Sequence, residues 1–140
     1  MGRILAIDYG TRRTGLAVSD PLRIIAGALA TVETKQLERY LADYFAKNDV
    51  DIIVLGKPTK MNGAPSQTMR YIEPLAGRLR HAYPDKEVVL YDERFTSVLA
   101  HRTMLESGIG REARRDKALV DRISATIILQ SYMESAAMRR

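Results

Sequence analysis

The sequence predicts an α/β fold in which a mixed five-stranded sheet carries helices on both faces. Three apolar segments with short connections come first, and this arrangement is typical of an antiparallel meander of strands 1 to 3. Helical patterns then alternate with two further strand segments, which indicates right-handed crossovers and adds parallel strands 4 and 5. A chain of 140 residues is long enough for a proper core, and we expect one domain over residues 1–140.

The first two strands are predicted at residues 4–7 and 15–18, with a tight turn between them. The run at 4–7 is apolar throughout, which is typical of a strand buried on both faces of a sheet. Asp8 ends this run, and Gly10 permits the turn because glycine adopts backbone angles that other residues avoid. We therefore expect Asp8 at the carboxyl end of a central strand, at the tip of a hairpin.

A third strand is predicted at residues 24–32, after the turn that Asp20 and Pro21 indicate. Thr34 is expected to cap the helix that follows. Apolar residues then recur at the spacing of one helical face, namely Leu37, Tyr40, Leu41, Tyr44 and Phe45. This pattern predicts an amphipathic helix that packs on the sheet.

A fourth strand is predicted at residues 52–55, which are again apolar throughout, and a loop rich in turn residues is predicted at 56–63. Ser66 is expected to cap a second helix. The apolar positions of that helix are Met69, Ile72, Ala76 and Leu79. Pro74 lies inside this pattern, where it is expected to kink the helix or to mark an error in the prediction.

A fifth strand is predicted at residues 87–91, and a short helix capped by Thr96 or Ser97 follows it. Residues 110–117 predict a loop dense in charge, and residues 118–138 predict a long final helix. The chain thus contains three strands followed by helix, strand, helix, strand, helix and helix. This is the order of elements in a ribonuclease H-like domain.

Composition and charge restrict the classes of function. The chain contains no cysteine, which excludes disulfides and thiolate metal sites. Its apolar runs are too short to cross a bilayer, and the first strand begins too early to leave room for a signal peptide. We therefore expect a cytoplasmic protein that does not bind membranes. The 22 Lys and Arg residues exceed the 17 Asp and Glu residues, which suits a polyanionic partner such as RNA or DNA.

Three acidic residues on different predicted elements are candidates for a metal site. Asp8 and Glu93 follow strands 1 and 5, and parallel strands open their carboxyl ends at one edge of a sheet. Asp121 lies on the final helix, where the small residues Ser124 and Ala125 share its face and let the helix lie close to the sheet. Carboxylates are the hard oxygen ligands that Mg²⁺ prefers, and such a site can activate water for phosphodiester cleavage. Taken singly, each acid is also explained as a turn, loop or helix-end carboxylate.

Four ordered motifs of the chain resemble the YqgF family, which is also called RuvX. These motifs are Asp8-Tyr9-Gly10 with residues 15–17, Gly56-x-Pro58 with Asn62-Gly63, residues 92–97, and Asp121 with Ala125 and residues 128–130. The resemblance covers essentially the whole chain. It implies a ribonuclease H-like fold and a metal-dependent nuclease, with Mg²⁺ or Mn²⁺ as cofactor, related to RuvC-type Holliday junction resolvases.

The resemblance also implies a substrate and a catalytic set. The family is assigned to maturing the 5′ end of precursor 16S ribosomal RNA. By motif, its catalytic and metal-binding positions correspond to Asp8, Glu93 and Asp121. Lys57 stands where the family usually has an apolar residue, and there it adds a positive charge near the proposed site.

Basic residues adjoin each proposed metal ligand, as expected of a nuclease that must neutralise phosphates. The candidate nucleic-acid-binding residues are Arg12, Arg13, Lys57, Arg94, Arg111, Arg114, Arg115 and Lys117. Any one of them alone is better explained as a residue of a solvated charged loop, whereas the set around one crevice favours phosphate binding. Because base-stacking aromatics are scarce, recognition by backbone shape fits the sequence better than readout of bases.

Other interpretations stay open at this level. Sugar kinases, actin and Hsp70-like ATPases use an Asp-x-Gly hairpin of this fold for phosphates, but they close ATP between two domains where this chain supplies one. A second alternative is a non-catalytic RNA-binding assembly factor that acts on ribosomal subunit intermediates. Branched DNA is an alternative substrate, and the chain fits a monomer or a homodimer.

Overall fold

The computed structural model describes residues 2–57, 68–93 and 117–138, together with the side chains of 122–136 in the last of these segments. Five strands form one sheet: β1 (Arg3–Asp8), β2 (Arg13–Ser19), β3 (Ala26–Glu33), β4 (Val50–Lys57) and β5 (Glu87–Asp92). The helices in the described segments are α1 (Leu37–Lys47), α2 (Met69–Ala82) and α3 (Lys117–Met138). None of these helices is long and apolar enough to cross a membrane.

The sheet has the mixed topology that the sequence predicts. Its strand order is β3-β2-β1-β4-β5, with β1 at the centre. Strands β1, β2 and β3 pair antiparallel, whereas β4 pairs parallel with both β1 and β5. The carboxyl ends of β1, β4 and β5 therefore lie at the same edge of the sheet. This is the ribonuclease H-like arrangement expected from the order of elements.

Alternate residues of the central strands face two separate apolar layers. Leu5 and Ile7 of β1 pack with the helices α1 and α2, while Ile4 and Ala6 pack with α3. Because the side chains of a strand alternate between the two faces of the sheet, each strand of the sheet has one set of side chains facing each apolar layer. The prediction of helices on both faces of the sheet is confirmed.

The fourth strand is longer than predicted, and this changes the position of a glycine. Strand β4 runs over Val50–Lys57, so Gly56 lies within the sheet instead of opening a loop. Gly56 pairs in register with Tyr91, and Lys57 pairs with Asp92. The sequence suggested a loop here because glycine is usually a turn residue, but parallel pairing with β5 keeps it extended.

The third strand begins later than predicted, at Ala26. Ile24 and Ile25 belong to the preceding loop, and 68% of each side chain is exposed. This loop is held by the Asp20 carboxylate, which accepts hydrogen bonds from the backbone N–H groups of Leu22, Ile24 and Ile25. These donors, that of Ile25 first, lower the pKa of Asp20.

Thr34 does not cap α1, contrary to the prediction. It opens a 3-10 turn, Thr34–Gln36, and the cap position of α1 belongs to Gln36. The Thr34 hydroxyl instead donates to the carbonyl oxygen of Gly10 at 2.6 Å, because β3 brings it against the turn between β1 and β2. Its role is tertiary, and local sequence patterns do not reveal such contacts.

The helices otherwise follow the predicted pattern. Helix α2 continues through Pro74 in its second turn, and α3 begins one residue earlier than expected, at Lys117. The cap at Ser66, the short helix after Thr96 or Ser97 and the charged loop before residue 117 lie outside the described residues.

Candidate functional site

Asp8 is the last residue of the central strand and is buried, with 5% of its surface exposed. It pairs with Gly15 of β2, so the neighbouring strand has no side chain beside it. Side chains of β1 alternate between the two faces of the sheet, and Asp8 is on the same face as Ile4 and Ala6. This is the face that α3 covers. The turn after Asp8 requires Gly10, because a Cβ at that position would collide with the carbonyl oxygen of Arg13.

Glu93 directly follows β5 and is still more buried, with 1% of its surface exposed. Val89 and Tyr91 of β5 pack in the α3 layer, so the alternation places Glu93 on the same face of the sheet as Asp8. A carboxylate buried to this degree needs compensating partners or a cation. Burial therefore distinguishes Glu93 from an ordinary loop acid.

Gly56 lies on β4, between the strands that carry these two carboxylates. A methyl group placed on Gly56 would lie 3.4 Å from Oε1 of Glu93 and 3.4 Å from the carbonyl oxygen of Ile7. It would also lie 2.7 Å from Cδ1 of Ile128 on α3. The Glu93 carboxylate thus approaches the backbone that leads into Asp8, and it does so across a position that has no side chain.

The third predicted ligand, Asp121, lies near the beginning of α3. It precedes Ile128 by seven residues, which places both on the same face of the helix. Its side chain lies outside the described residues, so a triad of Asp8, Glu93 and Asp121 stays a prediction. Among the side chains that are described, no three acidic or histidine residues are arranged to hold a metal ion.

Ser124 lies on the face of α3 that packs on the sheet, one turn after Asp121. It is fully buried, and its hydroxyl oxygen has no hydrogen-bond partner within the described parts of the chain. Ala125 is fully buried beside it. The expected close packing of α3 through small residues is confirmed at these two positions.

Two of the predicted nucleic-acid-binding arginines lie at the same edge of the sheet as Asp8. Arg12 is exposed in the β1–β2 turn, and Arg13 begins β2 opposite Glu33 of β3. Lys57 ends β4 and is half-buried. The remaining predicted residues, Arg94, Arg111, Arg114 and Arg115, lie outside the described residues, as does the side chain of Lys117.

Two residues of this edge were not assigned a role in the site from the sequence. Gly56 was counted among the residues of a loop, although an apolar run directly before it was a signal that the strand continues. Lys35 lines a surface cavity with Arg12 and Arg13, as described below. It follows the third strand along the chain, and only the pairing of β3 with β2 brings it to the hairpin.

The fold and the site together define a class of protein. A ribonuclease H-like sheet with buried carboxylates after its central strand β1 and its edge strand β5 is a framework for an enzyme. A sequence profile described as "RuvX: Holliday junction resolvase" matches residues 2–135. The chain therefore belongs to the RuvX family.

Bacterial relatives match the chain over nearly its whole length. A protein of Porphyromonas gingivalis is 56% identical over 96% of this chain and 98% of its own length. Relatives from Bacteroides thetaiotaomicron and Flavobacterium johnsoniae are 54% and 47% identical, each over 96% of this chain and 98% of their own length. All three are named as candidate pre-16S rRNA nucleases.

One solved structure also aligns with the chain. It is YeaZ from Pseudomonas aeruginosa, with 22% sequence identity and a TM-score of 0.43. The alignment covers 77% of this chain and 50% of that one.

Proposed function

We propose that this protein is a metal-dependent endonuclease that hydrolyses phosphodiester bonds and processes the 5′ end of precursor 16S ribosomal RNA. The observation that supports the proposal is that Asp8 and Glu93 are both buried at one edge of the sheet, with Oε1 of Glu93 3.4 Å from the position that a Cβ of the intervening Gly56 would occupy. The names of the bacterial relatives support the RNA substrate. Such an enzyme works in the cytoplasm, on RNA or on ribosomal subunit assembly intermediates.

Asp8 and Glu93 fit Mg²⁺ or Mn²⁺ as cofactor. Both offer hard carboxylate oxygens, and the missing side chain at Gly56 leaves Oε1 of Glu93 beside the end of β1. Asp121 is the proposed third ligand, on the helix face that packs against this edge. A metal held by these residues supplies a more acidic bound water and offsets the charge that develops on the phosphate.

The protein's own residues have three tasks in this proposal. Asp8 and Glu93 hold their carboxylates in a fixed, buried frame, which avoids the cost of reorganising them during the reaction. Arg12, Arg13 and Lys57 neutralise phosphates beside the site, and Arg94, Arg111, Arg114, Arg115 and Lys117 extend the basic surface. Recognition through the backbone shape of the RNA fits the small number of aromatic residues.

Cleavage of a precursor 16S RNA fragment tests the proposal. We expect cutting at the 5′ side of the mature sequence with Mg²⁺ or Mn²⁺ and none with EDTA. Asp8→Asn should lower the rate at least about 100-fold, because the variant loses a charged metal ligand. Asp43→Asn is the matched control, since Asp43 is an exposed acid on α1, and its rate should equal that of the wild type.

The family description favours a second candidate substrate, the four-way DNA junction. Resolvases of this fold cut two strands and usually act as dimers, so this function requires a homodimer. The same assay with a synthetic junction decides between the substrates. Faster cutting of the junction than of the RNA assigns resolution. Tight RNA binding without cleavage of either substrate assigns a non-catalytic assembly factor.

A further inference from the structure

A surface cavity of about 500 Å³ lies at the same end of the sheet as Asp8, beside the turn between β1 and β2. It is lined by Thr11, Arg12, Arg13, Glu33 and Lys35. We call this cavity the basic groove. Its volume lies in the range of small-ligand sites, but its polar and charged lining differs from the apolar lining usual in such sites.

The walls of the basic groove are tied together by the backbone and by two threonines. The backbone N–H of Thr34 donates to the carbonyl oxygen of Arg12 at 2.9 Å, and the Thr34 hydroxyl donates to the carbonyl oxygen of Gly10. The hydroxyl of Thr14 lies 2.9 Å from that of Thr34. The cations are therefore mounted on a fixed frame, so that little conformational entropy of the backbone is lost when a ligand binds.

Positive charge predominates among the described residues that line the basic groove, where three cationic side chains accompany one carboxylate. Lys35 contacts Glu33 at 3.5 Å, but 78% of the Lys35 side chain and 65% of the Glu33 side chain are exposed. Exposed ion pairs of this kind contribute little stability. Lys35 can therefore exchange this contact for one with an anionic ligand at low cost.

The basic groove continues the line of the carboxylates along the edge of the sheet. The strand order places Glu93, Gly56, Asp8, Arg13 and Glu33 on five successive strands, or directly after them. Neighbouring strands lie about 4.8 Å apart, so the β3 side of the groove is about 10 Å from Asp8. A polynucleotide strand that runs along this edge would reach both places.

We infer that the basic groove binds a backbone phosphate of the nucleic-acid strand, on the β3 side of the bond that is cleaved. Lys35 and Thr11 join Arg12 and Arg13 as the residues that hold this phosphate, and Glu33 limits the affinity by repulsion. The inference rests on the proposed nuclease function, because it takes Asp8 as the position of the cut. It adds that the nucleic-acid strand leaves the site in the direction from Asp8 toward β3.

Binding of a labelled single-stranded RNA fragment, measured in EDTA at several salt concentrations, tests the groove. Lys35→Gln and Arg12→Gln should each weaken binding about threefold to tenfold. Each should also reduce the slope of log affinity against log salt by about 0.7, the value for one lost phosphate contact on a single strand. Glu33→Gln should have the opposite effect and strengthen binding.

Lys47→Gln is the matched control, because Lys47 is an exposed lysine at the other end of α1. Its affinity and salt slope should equal those of the wild type. Lys35→Arg keeps the charge and should keep the affinity. Melting curves of all variants show whether they remain folded.

A DNA strand of the same sequence distinguishes phosphate contacts from other contacts. Equal losses on RNA and DNA support a phosphate in the groove, whereas a loss on RNA alone overturns the assignment. Lys35→Gln that behaves like Lys47→Gln also overturns it, even when the wild type cleaves RNA. If the wild type does not cleave RNA but the groove variants lose affinity, the nuclease proposal is wrong, whereas phosphate binding in the basic groove is supported.

Discussion

Gly56, at the scale of single residues, leaves room for the buried Glu93 carboxylate beside the end of β1. Any larger residue would put atoms into the space that the side chains of Glu93 and Ile128 now approach. The position is therefore as specific to the site as the acids themselves. Gly56 contributes by having no side chain, and charge patterns in the sequence do not reveal such a role.

Gly56→Ala should impair both stability and activity. The added methyl would lie 2.7 Å from Cδ1 of Ile128 and 3.4 Å from Oε1 of Glu93. Overpacking of this kind costs about 1–3 kcal/mol of unfolding free energy, which urea denaturation measures. We expect Mg²⁺-dependent cleavage to fall as well, because the methyl would fill the space beside Oε1 of Glu93.

Two further variants separate the causes. Gly77→Ala on α2 is the matched control, because a methyl there meets no atom within 4 Å among the described residues beyond its own stretch of helix, and it should stabilise the protein by about 1 kcal/mol. Ile128→Val combined with Gly56→Ala removes the closest contact and should recover stability but not activity. Equal effects of Gly56→Ala and Gly77→Ala would contradict the role assigned to Gly56.

The positions of Asp8 and Glu93 at one edge of the sheet could be predicted from the order of elements. Asp8 and Glu93 each come directly after a strand, and parallel strands bring such positions to one edge. Burial of both residues confirms that they are not ordinary loop carboxylates. Gly56 was missed because its role depends on the register of three strands, which no local pattern contains.

At the scale of elements, the hairpin that carries Asp8 is fastened to the beginning of the segment after β3. Thr34 donates its hydroxyl proton to Gly10, so Thr14 must be the donor in the bond between the two hydroxyl groups. Thr14 is fully buried. The pair thus connects the turn next to the candidate site with the element that leads into α1.

Removal of Thr34 should cost more than removal of Thr14. Thr34→Val leaves the buried Thr14 hydroxyl without its acceptor, which costs about 1–3 kcal/mol. Thr14→Val loses one bond but leaves Thr34 bonded to Gly10, at a cost of about 0.5–1.5 kcal/mol. The double variant should cost less than the two single costs together, and urea denaturation of all four proteins measures this coupling. Additive costs would show that the two hydroxyl groups do not act as a pair.

This contact also shows where element prediction stops. A threonine before an apolar stripe is a good candidate for a helix cap, and the stripe itself was correct, since α1 packs in the layer with Leu5 and Ile7. The structure uses the hydroxyl for a contact 24 residues away along the chain. A bond between distant segments follows from the pairing of strands and not from the sequence around either residue.

At the scale of the whole molecule, the order of elements was enough to predict the topology. Three strands with short connections can hardly form anything but a meander, and crossover helices then force the later strands to run parallel. The two apolar layers follow from the alternation of side chains in β1. Its odd-numbered residues face α1 and α2, and its even-numbered residues face α3. The boundaries were less certain, because pairing extends strands such as β4 through residues that favour turns.

The most direct test of the account is calorimetric titration of Mn²⁺ into the purified protein. We predict that the wild type binds Mn²⁺ and that Asp8→Asn and Glu93→Gln each lower the affinity at least about tenfold, because each removes a charged ligand. Asp43→Asn should bind as the wild type does. Equal affinity in all four proteins, or none in the folded wild type, would contradict a metal site formed by Asp8 and Glu93.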